Sequence, residues 1–246
     1  MADLIKRYSG ATDGTGPSPI VWNKIPLAEI LMNPASGHGF FQRFINAGPT
    51  HATTGTTIGG WICNHITNAG TIAAANIEGG GIVLTTAATE NDGMQMQTGE
   101  AFVADKDSRI VFGCRVAIGD ADAADMFVGL TTLDTDIAQT NPNDCIGFTV
   151  ADGSVNINYK VDTTGTASVV DSGADAADGA YVNLEFYVDR ESSVEFYVDG
   201  VLKGKTSAGI PVDEPLGAAL AMVSGSAGAK TLSVAWVYAY QWRIAR

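Results

Sequence analysis

Between residues 181 and 188 apolar and polar side chains alternate, with Val182, Leu184, Phe186 and Val188 set against Asn183, Glu185, Tyr187 and Asp189. After a polar break at 190–193 the alternation resumes with Val194, Phe196 and Val198. A period of two places one set on a core and the other on a wet face, which is the signature of β-strands. Asp199-Gly200 between Val198 and Val201 predicts a two-residue hairpin, because a type I′ turn needs positive φ at both central positions. Similar apolar runs predict further strands over 61–66, 72–77, 81–86, 94–98, 109–118, 126–131, 145–150, 155–161, 167–170, 201–205, 216–223 and 231–242. Gly-rich or Asn-Asp-Gly turns separate them at the short spacing typical of sandwiches. In the last strand Leu232, Val234, Trp236, Tyr238, Tyr240 and Trp242 share one parity, so this set is expected to face the core at its start and a neighbour near Trp242. Nothing after Ser108 demands a helix.

Residues 1–60 have a different texture. The stretch 9–19 is rich in Gly, Pro, Ser and Thr and reads as extended. In 25–34 Pro26 opens a short helix that Asn33-Pro34 ends. Phe40, Phe41, Phe44 and Ile45 then crowd in before Gly48-Pro49, and 50–60 reads as a linker. The expected organisation is an arm and linker over 1–60, carrying one or two short helices, followed by an all-β antiparallel sandwich over 61–246. Short apolar pieces between chain breakers need cover, either from the flank of their own domain or from another protein. Ile25, Leu27, Ile30, Phe40, Phe41 and Phe44 are therefore the partner-binding candidates.

Composition narrows the partners. The net charge is −13, yet residues 1–50 carry four basic against three acidic side chains, leaving −14 on the rest. Clustered Lys and Arg are what phosphate backbones and anionic lipid surfaces require, so direct nucleic-acid and membrane binding are not expected. No apolar run approaches the roughly 20 residues that span a bilayer. A chain of this kind is expected to be made and folded in a cytoplasm.

The chemistry-bearing residues are sparse. Cys63, Cys114 and Cys145 lie far apart without zinc spacing and read as small apolar residues, Cys114 in phase with Ile110, Phe112 and Val116. His38, His51 and His65 read as structural. Acidic loops at 119–125, 134–136 and 171–178 offer oxygen ligands for a hard cation such as calcium, with Asp120, Asp122 and Asp125 as its candidates. Glu185 and Glu195 sit on neighbouring strands, where a carboxylate pair could in geometry form, but charged side chains on a wet sheet face are the rule. Trp61, Trp236 and Trp242 are the candidates for a sugar platform.

The block 179–242 resembles the concanavalin A-like, laminin-G-like jelly-roll sandwich. The resemblance is carried by Tyr181-x-x-Leu184-x-Phe186-x-Val188-Asp189, by Val194-x-Phe196-Tyr197-Val198-Asp199-Gly200 and by the aromatic last strand; 127–136 and 143–154 look like upstream strands of the same fold. It implies the fold over 61–242 and leaves the activity open, since such sandwiches serve as lectins, glycosidases, receptor modules and virion proteins. Glycosidases of this fold carry Glu-x-Asp-x-Glu or Glu-x-Asp-x-x-Glu on one strand, and no such run is present. The chain as a whole also looks like the capsid decoration, or cement, proteins of tailed bacteriophages. That likeness implies a non-enzymatic protein on the capsid exterior, whose arm holds the major capsid protein and which forms a homo-oligomer, a trimer being one form. The alternative is a lectin-like module of a phage fibre or tail that binds a surface glycan.

Overall fold

The computed structural model describes residues 15–45, 47, 54–138 and 143–244. Residues 1–14, His51 and the linker segment 48–53 lie outside them. Two short helices come first, α1 (Pro19–Trp22) and α2 (Leu27–Met32). The strands are β1 (Gly37–Gln42), β2 (Thr56–Ile58), β3 (Trp61–Ile66), β4 (Gly70–Ala74), β5 (Ile82–Thr86), β6 (Gly93–Gln97), β7 (Ser108–Ile118) and β8 (Ala124–Thr131). They continue as β9 (Cys145–Val150), β10 (Asn156–Thr163), β11 (Thr166–Asp175), β12 (Val182–Asp189), β13 (Ser193–Val198), β14 (Val201–Thr206), β15 (Gly217–Ser224) and β16 (Thr231–Arg243). One 3-10 turn, Ala121–Ala123, interrupts the run of strands after Ser108.

The strands form two antiparallel sheets. The first runs β14-β13-β12-β7-β16-β5-β4, with β1 also on β16; the second runs β11-β10-β9-β8-β15-β6-β3-β2. This is the jelly-roll sandwich. The predicted hairpin joins β13 to β14 with Asp199 at φ 48° and Gly200 at φ 75°, as a type I′ turn requires. Between the sheets Phe112, Phe148, Phe186, Phe196, Leu184 and Leu220 are fully buried, Phe112 and Phe186 stacked with centroids 5.2 Å apart.

The expected separation of arm from sandwich is corrected for the described part of 1–60. β5 pairs with Thr231 to Val234 of β16, and β1 takes up the same side of the long strand from Val237 to Trp242. Without β1, half of β16 would present an open edge. β2 pairs with β3 at the end of the second sheet. Pro26 stands at the N-cap of α2 rather than at its first helical position, and Asn33 ends the helix.

β16 departs from the expected single parity. Its register on β7 shifts between Val234 and Trp236, and this bulge turns the strand over. Leu232 and Val234 face the core before it and Val237 and Ala239 after it, so Trp236, Tyr238, Tyr240 and Trp242 face outward.

Candidate functional site

The bulge creates an outer surface that water would not tolerate. Trp236, Tyr238, Tyr240 and Trp242 join Val111, Tyr187 and Tyr197 in a broad aromatic stripe across the first sheet. Residues 15–42 cover it. Val21, Ile25 and Ile30 are buried against the stripe, with Trp22 and Leu27 half-buried beside them. Trp22 meets Tyr238 edge-on at 5.0 Å, and Phe41 stacks on Tyr238 at 6.1 Å and 8°. Phe40, on the other side of β1, packs between Trp61 and Phe102, and Phe44 is buried in the main core. Five of the six partner-binding candidates are thus spent on the protein's own sandwich: Ile25, Ile30 and Phe44 are buried, and Leu27 and Phe40 half-buried. Only Phe41 keeps an exposed side.

Beneath this cover lies a buried carboxyl group. Glu185 is 0% exposed, where a wet face was expected. Its Oε1 accepts from the Tyr238 hydroxyl at 2.6 Å and from the Ser18 amide at 3.0 Å, while Oε2 has no partner. Gly113 pairs with both Glu185 and Tyr238, and a Cβ there would lie 2.6 Å from Tyr238 Cε1, so glycine leaves the room in which the tyrosine ring leans across to the carboxyl group. Burial pushes Glu185 up to about 7, against the lowering effect of the Tyr238 and Ser18 hydrogen bonds.

Glu195, one strand away, behaves in the opposite way. Lys24 of the arm reaches it at 3.2 Å, Lys205 at 3.1 Å and the Tyr197 hydroxyl at 2.8 Å. Partial burial pushes its acidity down, but these three donors outweigh that and hold the carboxylate at about 2. Lys24 also lies 4.2 Å from the Tyr187 ring centroid. Both carboxylates are committed to fastening the arm: one is sealed from water and the other is paired with two ammonium groups. The arrangement offers no open general acid opposite a nucleophile.

The calcium candidates do not gather as a set of three, although Asp122 lies beside Asp120. Asp120 pairs with Lys230, whose hydrogen bond lowers its pKa. Asp125 accepts from the Asp152 amide at 3.0 Å, and burial raises its pKa. The Asp122 carbonyl accepts from the Gly153 amide at 2.9 Å. Among the described residues no three His, Cys, Asp or Glu side chains group as metal ligands. The three tryptophans proposed as a sugar platform are all buried, so none presents a free ring face. His38 Nε2 lies 2.8 Å from the Ala101 carbonyl, and all three cysteines are buried thiols, Cys63 and Cys114 in the main core and Cys145 in a smaller cluster on the outer side of the second sheet.

The most exposed apolar residues of the arm lie outside the six partner-binding candidates. Ile20, Leu31, Met32 and Ile45 are 56%, 72%, 85% and 71% exposed. The signal was present in Leu27-Ala-Glu-Ile-Leu-Met32, which carries apolar side chains beyond the single stripe that Leu27 and Ile30 bury.

No family model matches the chain and no curated protein matches its sequence. Solved structures do share its architecture. A protein of unknown function from Shewanella oneidensis superposes with a TM-score of 0.59 at 14% identity, over 90% of this chain and 98% of that one. The β-glucanase of Bacillus licheniformis gives 0.54 at 17% identity, over 84% and 98%. The endo-β-1,3-glucanase of Pyrococcus furiosus gives 0.54 at 12%, over 84% and 94%. The fold is the concanavalin A-like jelly-roll sandwich. At these identities the likeness extends to the fold alone.

Proposed function

We propose that the protein is a structural virion protein, a bacteriophage capsid decoration protein that docks on the major capsid protein from the capsid exterior and stabilises the shell. The observation that carries this reading is the two-sided arm. Its inward side chains anchor it to the aromatic stripe, while Ile20, Leu31, Met32, Phe41 and Ile45 stand outward as an apolar set. Among the described residues, five of the twelve exposed large apolar side chains fall in this one segment, on a chain otherwise strongly acidic. Exposed apolar side chains on a nearly neutral segment suit a protein surface reached by burial rather than by charge, so binding should depend weakly on salt. The capsid shell is the occupant argued for, and a second or third copy of this chain is the competing one. The reading contains no hydrolytic step, because Glu185 and Glu195 are used internally and no strand carries the carboxylate run of the glycosidases of this fold.

The test is co-sedimentation with tailed-bacteriophage heads assembled from a major capsid protein. The double variant Leu31→Ser, Met32→Ser removes two exposed side chains without touching the stripe. It should keep the parent melting temperature and bind heads about 10- to 100-fold more weakly. Undiminished head binding by the folded double variant would overturn the proposal. So would loss of self-association, measured by light scattering, with no head binding by the parent.

A further inference from the structure

Away from the arm, four more exposed apolar side chains gather at one flank of the sandwich, Val169 and Val170 on β11 and Val201 and Leu202 on β14. These are the end strands of the two sheets, and Lys203 Nζ bridges them to the Gly173 carbonyl at 3.4 Å. Gly204 of β14 lies against the Tyr159 ring of β10, where a Cβ would come within 2.6 Å of its Cζ. β14 therefore faces β10, and β11 overhangs it by one strand. Among the described residues β11 pairs with β10 alone, which leaves its outer row of amides and carbonyls open. The other open edges are blunted. β2 and β4 are three and five residues long, β1 carries Gly37 and Gly39, and β14 has Lys203, Lys205 and a register shift. β11 is ten residues long, and its first five, 166–170, hold no charge, proline or glycine. Its register shift on β10 lies beyond Asp171, where the edge is already engaged: the Gly173 amide donates to Asp171 at 2.7 Å and the Gly173 carbonyl accepts from Lys203.

We propose that residues 166–170 pair antiparallel with the same strand of a second copy, about a twofold axis at Ser168, and make the protein an edge-to-edge dimer. A twofold interface has to be complementary to itself. Centred on Ser168, Thr166 stands opposite Val170 of the second copy and Ala167 opposite Val169, with a small side chain at the axis and no like charges opposed. Asp171 falls opposite Gly165, outside the paired stretch. Two copies of net charge −13 repel one another, so an uncharged edge is where they can approach closely. A single strand pair with a few apolar side chains from each copy belongs to the small interfaces, below about 1,200 Å² in total, so the dimer should be weak, with a Kd of about 10–100 µM. A strand from a different protein is the competing occupant. This dimer does not rest on the docking reading, and either can fail alone, because Leu31→Ser, Met32→Ser leaves β11 untouched.

The test is sedimentation equilibrium of the full-length chain from about 1 µM to about 1 mM, a range in which monomer should give way to dimer. Val169→Glu brings two carboxylates together across the axis while standing opposite Lys160 of its own chain, so it should keep the parent melting temperature and weaken the dimer about 10-fold or more. Ser168→Cys should give a disulfide-linked dimer on oxidation, because antiparallel pairing brings the two axial Cα atoms to about 4.5–5.5 Å, while the three native thiols are buried. Val170→Cys should cross-link at least about 10-fold more slowly, since its two copies lie well apart along the strands. The proposal is overturned by a monomer at every concentration, which would leave the edge to a strand of a different protein. It is equally overturned by parent affinity in Val169→Glu, or by Val170→Cys cross-linking as fast as Ser168→Cys.

Discussion

Glu185 makes the stability of this protein depend on pH in the sense opposite to that of most carboxylates. Its ordinary value is 4.5 and the folded protein raises it to about 7. A carboxyl group that binds its proton more tightly when folded stabilises the fold while protonated. The contribution is fully present below about pH 4.5, declines as pH rises from there to about 7, and is gone above that. At about 1.4 kcal/mol per pH unit the interval corresponds to about 3 kcal/mol. The side chain is wholly buried, so solvent screening does not reduce this figure much. Glu185→Gln keeps an acceptor for the Tyr238 hydroxyl and the Ser18 amide but cannot ionise. At pH 8 the variant should therefore be more stable than the parent by up to about 3 kcal/mol, or about 6–12 °C in melting temperature for a chain of this size. At pH 4.5 the advantage should vanish. Thermal melts of both proteins at half-unit steps from pH 4.5 to 8.5 read the difference, in which the titration of every other group cancels. A parent-to-variant gap that stays constant across this range would refute the reasoning.

Further outcomes follow from the same contacts. Glu195→Gln removes an acceptor shared by Lys24, Lys205 and Tyr197; because that carboxylate is depressed to about 2, the loss should be about 1–2 kcal/mol at neutral pH and shrink as pH falls from about 4.5 toward 2, measured by urea denaturation. Gly113→Ala would drive a methyl group into the Tyr238 ring and should cost about 1–3 kcal/mol while flattening the pH dependence assigned to Glu185. Phe44→Ala should cost about 3–5 kcal/mol, the range for a buried aromatic, and a value under 1 would place Phe44 outside the core. Deleting residues 1–45 should yield aggregate on gel filtration, since it bares the aromatic stripe and the end of β16; a monodisperse product would mean the arm is separable after all.

The sandwich was legible because short apolar runs between turn signals mark strands whether one face or both are covered, and Trp61–Ile66 and Cys145–Val150 lie where such runs placed them. The reading failed in saying which face a side chain takes and what covers it. In β1 Phe40 enters the core and Phe41 meets the stripe, so adjacent phenylalanines hide a regular strand behind an apparent cluster. In β16 six aromatic or aliphatic residues of one parity suggested one face, but a bulge, which leaves no mark in hydrophobicity, divides them between two. Glu185 looked like a wet-face residue for the same reason: the period of two locates the outer face and says nothing of what lies on it. The candidate site followed suit. Apolarity in residues 25–44 correctly signalled a need for cover, but cover and covered were in one chain, and the outward residues were the less regular Ile20, Leu31 and Met32.

That division of labour bears on how the arm would hold a partner. An arm that is disordered until it docks loses ordering entropy at the moment of binding, at several kcal/mol for a segment of this length. Here residues 15–45 are ordered by β1 pairing, by Trp22 and Phe41 on Tyr238, and by Lys24 on Glu195 before any partner arrives. Their outward side chains can then bind as a preorganised surface, with little rearrangement of the backbone. Protonation of Glu185 tightens the seal under the same segment, so acid should stiffen the segment rather than release it. Amide exchange of residues 18–32, compared at pH 5.5 and 8 after correction for the intrinsic rate, should show greater protection at the lower pH in the parent and none of that difference in Glu185→Gln. Equal pH dependence in both proteins would separate the buried carboxyl group from the arm it appears beneath in space and leave the two without mechanical connection.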